Sequence, residues 1–185
     1  MLDEDVQDRG GQAELLLQLA KGEYAIHRGA EGCPRPVPFA GRGRMVMREE
    51  HLERIARSVR RCRRCRLWQS RTHAVLGEGH ACAQLLFIGE APGRLEDEMG
   101  RPFQGMAGRE FDRLVRLAGL ERERIFVSGI VKCRPSHNRR PRRDEMDTCR
   151  RAHLDRQLAV IGPRLEKLVW ARGATRRARA DSLLL

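Results

Sequence analysis

Lysine is nearly missing from this chain. Of 37 Lys and Arg residues only three are lysine: Lys21, Lys132 and Lys167. Also missing is any apolar run near the roughly 20 residues that a bilayer-spanning helix needs. The first residues, "MLDEDVQDRG", are acidic and lack the basic-then-apolar order of a secretory signal. No segment repeats at a fixed period. These absences argue against a helical membrane protein and a repeat array. The expectation is a cytoplasmic protein with no membrane partner, acting as a monomer.

What is present points further. A chain of 185 residues, 41% hydrophobic, can bury one real core and carry a small appendage. The net charge is +12, carried almost wholly by arginine. A GC-rich genome would favour Arg over Lys, but it would not create the excess of basic over acidic residues. Such a balance asks for a polyanion, with nucleic acid foremost. There are six cysteines: Cys33, Cys62, Cys65, Cys82, Cys133 and Cys149. In a reducing compartment, ligation of a metal or cluster gains weight over disulfides.

Three regions follow from the patterning. Residues 1–44 form an N-terminal extension: a short helix over 11–21, then the Pro/Gly-rich linker "GAEGCPRPVPFAGRGR". Residues 45–171 carry the domain, and residues 172–185 are an Arg/Ala-rich tail. Leu52, Ile55, Ala56 and Val59 fall on one face of a helix. Leu85–Ile88 reads as a buried strand. Ala107, Phe111, Leu114, Val115 and Ala118 mark a second helix, stopped at Gly119. "RIFVSGIV" (124–131) reads as another strand, Arg143–Ile161 as another helix, and Leu165–Ala171 as a third strand. Strands alternating with helices imply an α/β fold with a short parallel sheet.

Two constellations carry chemistry. Cys62 and Cys65 form a C-x-x-C pair, and Cys133 and Cys149 a distant pair. Together they make a four-thiolate site. Zinc and a [4Fe–4S] cluster both suit four thiolates, and spacing does not separate them. Cys33 and Cys82 fall outside the pattern and are expected to be free thiols. The second constellation is "GEAPGRLEDEMGRPFQGMAG", residues 89–108, directly after the buried strand. That places it at the carboxyl edge of the sheet, where open α/β folds bind ligands. Its glycines allow close backbone approach to a ligand. Glu90, Glu96 and Asp97 supply carboxylates, and Phe103 supplies a ring for stacking.

The ordered set "CRRCRL", "GEAPGRLEDEMGRPFQGMAG" and "VKCRPSHNRRP", followed by Cys149, resembles the iron–sulfur (family-four) uracil-DNA glycosylases over about residues 52–164. The resemblance implies a three-layer α/β/α uracil-DNA-glycosylase-like fold. It also implies a [4Fe–4S] cluster on Cys62, Cys65, Cys133 and Cys149. It implies DNA repair by hydrolysis of the N-glycosidic bond of uracil in DNA, with uracil-containing DNA as the partner. Glu90, Glu96 and Asn138 would then serve the attacking water. Ala91, Phe103 and the position of Gly129 would hold the base. Arg134, Arg139, Arg140, Arg142 and Arg143 would meet phosphates. Such an enzyme must unstack the base, hold it on an aromatic face and read its edge.

The chain departs from that family's pattern twice. Where the family has Asn in a segment like I-T-N-V-V-K-C, this chain has Gly129 in "FVSGIVKC"; Ser128 is the nearest candidate substitute. The family's H-P-S motif does not occur, and "VIVTLG"-like strand text is lost after Arg164. The expectation is a poorly active chain with the last strand missing, from a truncated or frameshifted reading of a glycosylase gene. Competing readings are a non-catalytic iron–sulfur DNA-binding relative and a zinc-containing nucleic-acid module.

Overall fold

The computed structural model describes residues 37–38, 45–163 and 165–168. The helix expected over 11–21 and the tail over 172–185 lie outside the described residues. Within the segment read as a linker and its border, β1 (Val37–Pro38) and β2 (Met45–Val46) pair antiparallel.

Helix α1 (Arg48–Arg60) forms where the apolar spacing called for it, and Ile55 and Val59 are fully buried. Glu49 and Glu50 stand in its first turn and Arg57 and Arg60 in its last, each sign facing the favourable end of the helix dipole. The chain next runs through a 3₁₀ turn, Arg66–Gln69, to β3 (Glu78–Gly79) and β4 (Leu85–Gly89). Two helices follow, α2 (Arg94–Met99) and α3 (Met106–Leu117). Strand β5 (Phe126–Gly129) precedes α4 (Arg143–Cys149), a π turn (Arg150–Leu154), α5 (Asp155–Ile161) and β6 (Leu165–Leu168).

These strands form a four-stranded sheet in the order β3-β5-β4-β6. Strand β4 is parallel to both β5 and β6, which makes it a central strand buried on both faces. A continuous apolar run is what such a strand requires, and "LLFI" supplies it. Leu85 and Phe87 point to one face, against Phe111 and Val115 of α3. Phe87 and Phe111 meet edge to face, with centroids 5.0 Å apart. Leu86 and Ile88 point to the other face, against Leu154 and Ile161. The two clusters are the two interfaces of an α/β/α sandwich. Burying a ring such as that of Phe111 contributes about 1.5–3 kcal/mol.

Arg48 ties α1 to α5. Its guanidinium donates to the carbonyls of Val160 (2.8 Å) and Ile161, which lack partners within α5.

The sheet is mixed rather than purely parallel, because β3 runs antiparallel to β5. A two-residue strand has no period to read, and Gly79 fits only by packing its backbone onto Ile125. The strand expected over 124–131 is confined to Phe126–Gly129. After it the chain folds over the end of β4, with Ile130 N donating to Gly89 O (2.8 Å) and Val131 N to Glu90 O (3.3 Å). The third parallel strand is present as β6, at the edge beside β4. The further strand expected to be missing falls outside the described residues. Cys82 is disulfide-bonded rather than a free thiol.

Candidate functional site

Strands β4 and β5 end side by side, with Gly89 in register with Gly129. The turn leaving β4 closes on itself. The Glu96 carboxylate accepts from the backbone N–H groups of Gln104 and Gly105, both at 2.8 Å. Asp97, buried, accepts the Thr72 N–H on both its oxygens at 3.0 Å. Glu96 and Asp97 therefore hold loop against loop.

Phe103 sits at the mouth of this turn with a left-handed backbone, φ 57°. Such a conformation is uncommon for a bulky residue and persists only where the surroundings impose it. Gly108 is one such constraint: a β-carbon there would lie 1.8 Å from the Phe103 carbonyl oxygen. The ring leans on Phe111 with centroids 4.8 Å apart and lies over Gly89. It is partly buried, packed on the core cluster, with the Arg122 guanidinium 5.9 Å from its centroid.

Glu90 is the first side chain beyond β4. It is 8% exposed, and Arg140 Nε donates to its Oε1 at 3.1 Å. The structure thus brings together Glu90, Phe103, Gly129 and Arg140. Ala91 packs partly onto the apolar cluster of Leu67, Val131, Cys133 and Cys149. Asn138 stands apart on the exposed loop. Its φ is 53°, beside His137 at 54°, and its Oδ1 accepts from Arg134 Nε at 2.7 Å. No hydrogen bond among the described residues joins Asn138 to Glu90.

The arginines divide. Arg139 forms a bidentate pair with buried Glu145 (2.7 and 2.8 Å), and that bond holds the Glu145 carboxyl below its usual range. Arg140 and Arg134 are engaged with Glu90 and Asn138. Arg142 and Arg143 are exposed, with Arg143 Nε 3.9 Å from Asp147 Oδ2.

Gly129 offers no side chain, and this backbone leaves no room for one: a β-carbon would lie 2.8 Å from the Val131 carbonyl oxygen. Ser128 does not substitute. It is 1% exposed and faces inward, donating to Gln157 Oε1 at 3.0 Å and accepting from Lys132 Nζ. Lys132 also donates to Gly129 O (2.9 Å) and Gln157 Oε1 (2.7 Å). Burial pushes its amine down to about 8.

All four expected cysteines line one cavity. Cys62 follows α1, Cys65 precedes the 3₁₀ turn, Cys133 follows Lys132, and Cys149 ends α4. All four are free, and Val59, Trp68, Ala152 and His153 complete much of the wall. Burial raises the thiols of Cys65 and Cys133 and pushes Cys149 up to about 12. Two sulfurs accept N–H bonds: Cys133 from Arg71 Nη1 (3.1 Å) and Cys149 from the Lys132 amide (3.3 Å). Among the described residues, no three His, Cys, Asp or Glu side chains gather as they would around a single metal ion. The four thiols surround a space rather than a point.

Sequence reasoning passed over Lys132, His153 and Gln157. One signal was available: Cys149, His153 and Gln157 recur every four residues, on one side of a helix.

A family model described as "Uracil DNA glycosylase superfamily" matches residues 76–180. The chain is 46% identical over 117 residues to a "Type-4 uracil-DNA glycosylase" of Sulfurisphaera tokodaii, covering 63% of this chain and 53% of the relative. It is 40% identical over 131 residues to a protein of the same description from Thermotoga maritima, covering 71% and 66%. A third, from Archaeoglobus fulgidus, is 40% identical over 114 residues, covering 62% and 57%. The chain spans between about half and two thirds of the length of these relatives.

Proposed function

The chain belongs to the uracil DNA glycosylase superfamily, and from that premise we propose that it acts on uracil in DNA, with the Glu90–Phe103 corner as its base site. The observation that carries this reading is the placement at the carboxyl end of β4: Gly89 lies against the partly buried Phe103 ring, and the buried Glu90 carboxylate follows it directly in the chain. A flipped base stacks on Phe103, with Ala91 and the Gly129 backbone as its walls. Base–aromatic stacking is worth ~1–3 kcal/mol. Glu90 orients the water that attacks the sugar carbon as the N-glycosidic bond breaks. Backbone N–H groups of the Gly89–Gly93 turn face the charge that develops on the departing base. Glu96 acts one step back, holding the Gln104–Gly105 backbone so that Phe103 stays in place. Asn138 enters only if the 134–140 loop moves toward Glu90 on DNA.

Cys62, Cys65, Cys133 and Cys149 hold a [4Fe–4S] cluster in this reading. The fit rests on four free thiols around one enclosed space with N–H donors already on two sulfurs. When bound, the cluster supplies cross-linking, fixing the loops that carry the arginines. Arg142 and Arg143 are the exposed cations for phosphate. Arg140 reaches DNA by exchanging its carboxylate partner, which frees Glu90 for water.

The test is uracil release from single-stranded and duplex oligonucleotides by iron-loaded protein. Glu90→Gln is expected to lose about 100-fold or more in rate while DNA affinity holds. Equal release by the variant removes Glu90 from the mechanism. A second reading, DNA binding without excision, is favoured by Gly129, which supplies no side chain for the base edge. It predicts salt-dependent DNA binding and no uracil release by either form.

A further inference from the structure

We propose that His153 is a hydrogen-bond donor to the iron–sulfur cluster, a positioning residue that sets the cluster's reduction potential and its retention. The inference rests on the cluster reading above. His153 is 1% exposed, and both of its ring nitrogens lack a hydrogen-bond partner. It lines the same cavity as the four cysteines. A buried imidazole with no partner costs free energy comparable to a lost hydrogen bond, so a native fold keeps one where something not yet counted supplies the partner.

The cavity wall narrows what that partner is. Arg64 and Lys132 are donors, and cannot accept from an imidazole N–H. The Lys132 amine is already committed to Ser128, Gly129 and Gln157. Val59, Trp68 and Ala152 offer no side-chain acceptor, and no backbone carbonyl accepts from either ring nitrogen. What remains is the Thr148 hydroxyl, which makes no such bond, and sulfur. A cluster filling this space brings sulfide and thiolate sulfur to the wall that His153 forms. The backbone shows the same design: His153 is carried on the π turn Arg150–Leu154, in the stretch that follows the ligand Cys149. Single π turns inside α-helices occur often at functional sites.

The chemistry then has a sign. An N–H donor stabilises negative charge on sulfur, so it favours the reduced cluster and raises the potential. Removing an outer partner of a metal site typically costs 10- to 100-fold in affinity.

The experiment uses the full chain, isolated anaerobically with its cluster, as wild type, His153→Leu and His153→Gln. Three readouts are taken: midpoint potential by voltammetry, rate of cluster bleaching under a chelator, and exchangeable-proton couplings to the reduced cluster after ¹⁵N-histidine labelling. The Leu variant is expected to show a lower potential and roughly 10- to 100-fold weaker cluster retention. Gln, which keeps an N–H, is expected to recover part of both. The wild type is expected to show a ¹⁵N-linked exchangeable proton. That last measurement decides the matter even if neither variant folds, because its absence overturns the proposal. A Leu variant with wild-type potential and bleaching rate also overturns it. Wild-type protein without iron and sulfide overturns the cluster reading itself, a different failure from a cluster indifferent to His153.

Discussion

The Gly89–Gly108 turn and the cysteine cavity are neighbours, with Ala91 packing on the cysteine side, yet they handle buried polar groups in opposite ways. In the turn, Glu96 accepts from two backbone N–H groups, and Asp97 accepts the Thr72 N–H on both its oxygens. That region is shaped without a guest. In the cavity, four thiols and an unpartnered imidazole face one another, with burial holding three of the thiols protonated. On the proposed cluster reading, that region is shaped for a guest. A base site must receive and release its substrate at each turnover, so its scaffold is self-supporting. A structural cofactor stays, so its binding free energy counts as folding free energy.

Removing the guest should break the comparison most severely. Cys149→Ser is expected to lose iron and sulfide and to destabilise the fold by about 3 kcal/mol or more, a fall in Tm on the order of 10 °C. Metal analysis and a circular-dichroism melt on the same sample check it. The Arg139–Glu145 pair, on the cavity side, comes next. Glu145→Gln is expected to cost ~1–3 kcal/mol near neutral pH, because it removes a charge-assisted bidentate bond to a buried group. The sign with pH follows from the lowered carboxyl. Its contribution is complete above the ordinary value of 4.5 and is lost as pH falls through the lower folded value. Denaturant melts of wild type and variant should therefore converge on acidification and stay apart at pH 7.

Gly129→Ala places a methyl against the Val131 carbonyl oxygen. The atom it meets is backbone and must shift, so the expected cost is ~1–3 kcal/mol. The turn should give smaller effects. Glu96→Gln keeps an acceptor and loses the charge, so ~1 kcal/mol is expected, together with weaker binding of uracil-containing DNA as Phe103 loosens. Unchanged stability and binding would show that the turn does not depend on its own acid.

The layered fold was legible because period is a global signal. Leu52, Ile55 and Val59 could belong only to a helix, and "LLFI" before a glycine turn only to a buried strand. That Cys62, Cys65, Cys133 and Cys149 gather at one cavity was legible from their spacing. What escaped was set by geometry that residue types do not encode. Glu90 and Glu96 are both acids in one loop, yet one pairs with Arg140 and the other turns back to the backbone. Ser128 stood beside Gly129 in sequence but alternates to the opposite side of the strand, where Gln157 and Lys132 take its hydroxyl. The arginine cluster read as a uniform phosphate grip, but Arg139 is spent on Glu145, a partner six residues away that charge counting does not single out. His153 and Gln157 read as ordinary helix residues because nothing local announces the π turn.

That π turn also bears on how the helix tolerates change. An α-helix advances about 100° per residue, so deleting one residue from an ordinary stretch swings everything downstream by more than a quarter turn. Through Arg150–Leu154 the ladder is wound wider, i to i+5, and stores one residue of slack. A one-residue deletion there can be absorbed by rewinding to α geometry, leaving Cys149 upstream and Val160 and Ile161 downstream in their present phase. The same deletion within Asp155–Ile161 would carry Gln157 off Leu76 and Ile161 out of the core. The helix behind the cavity is therefore a place where length is negotiable at one turn and fixed at the next.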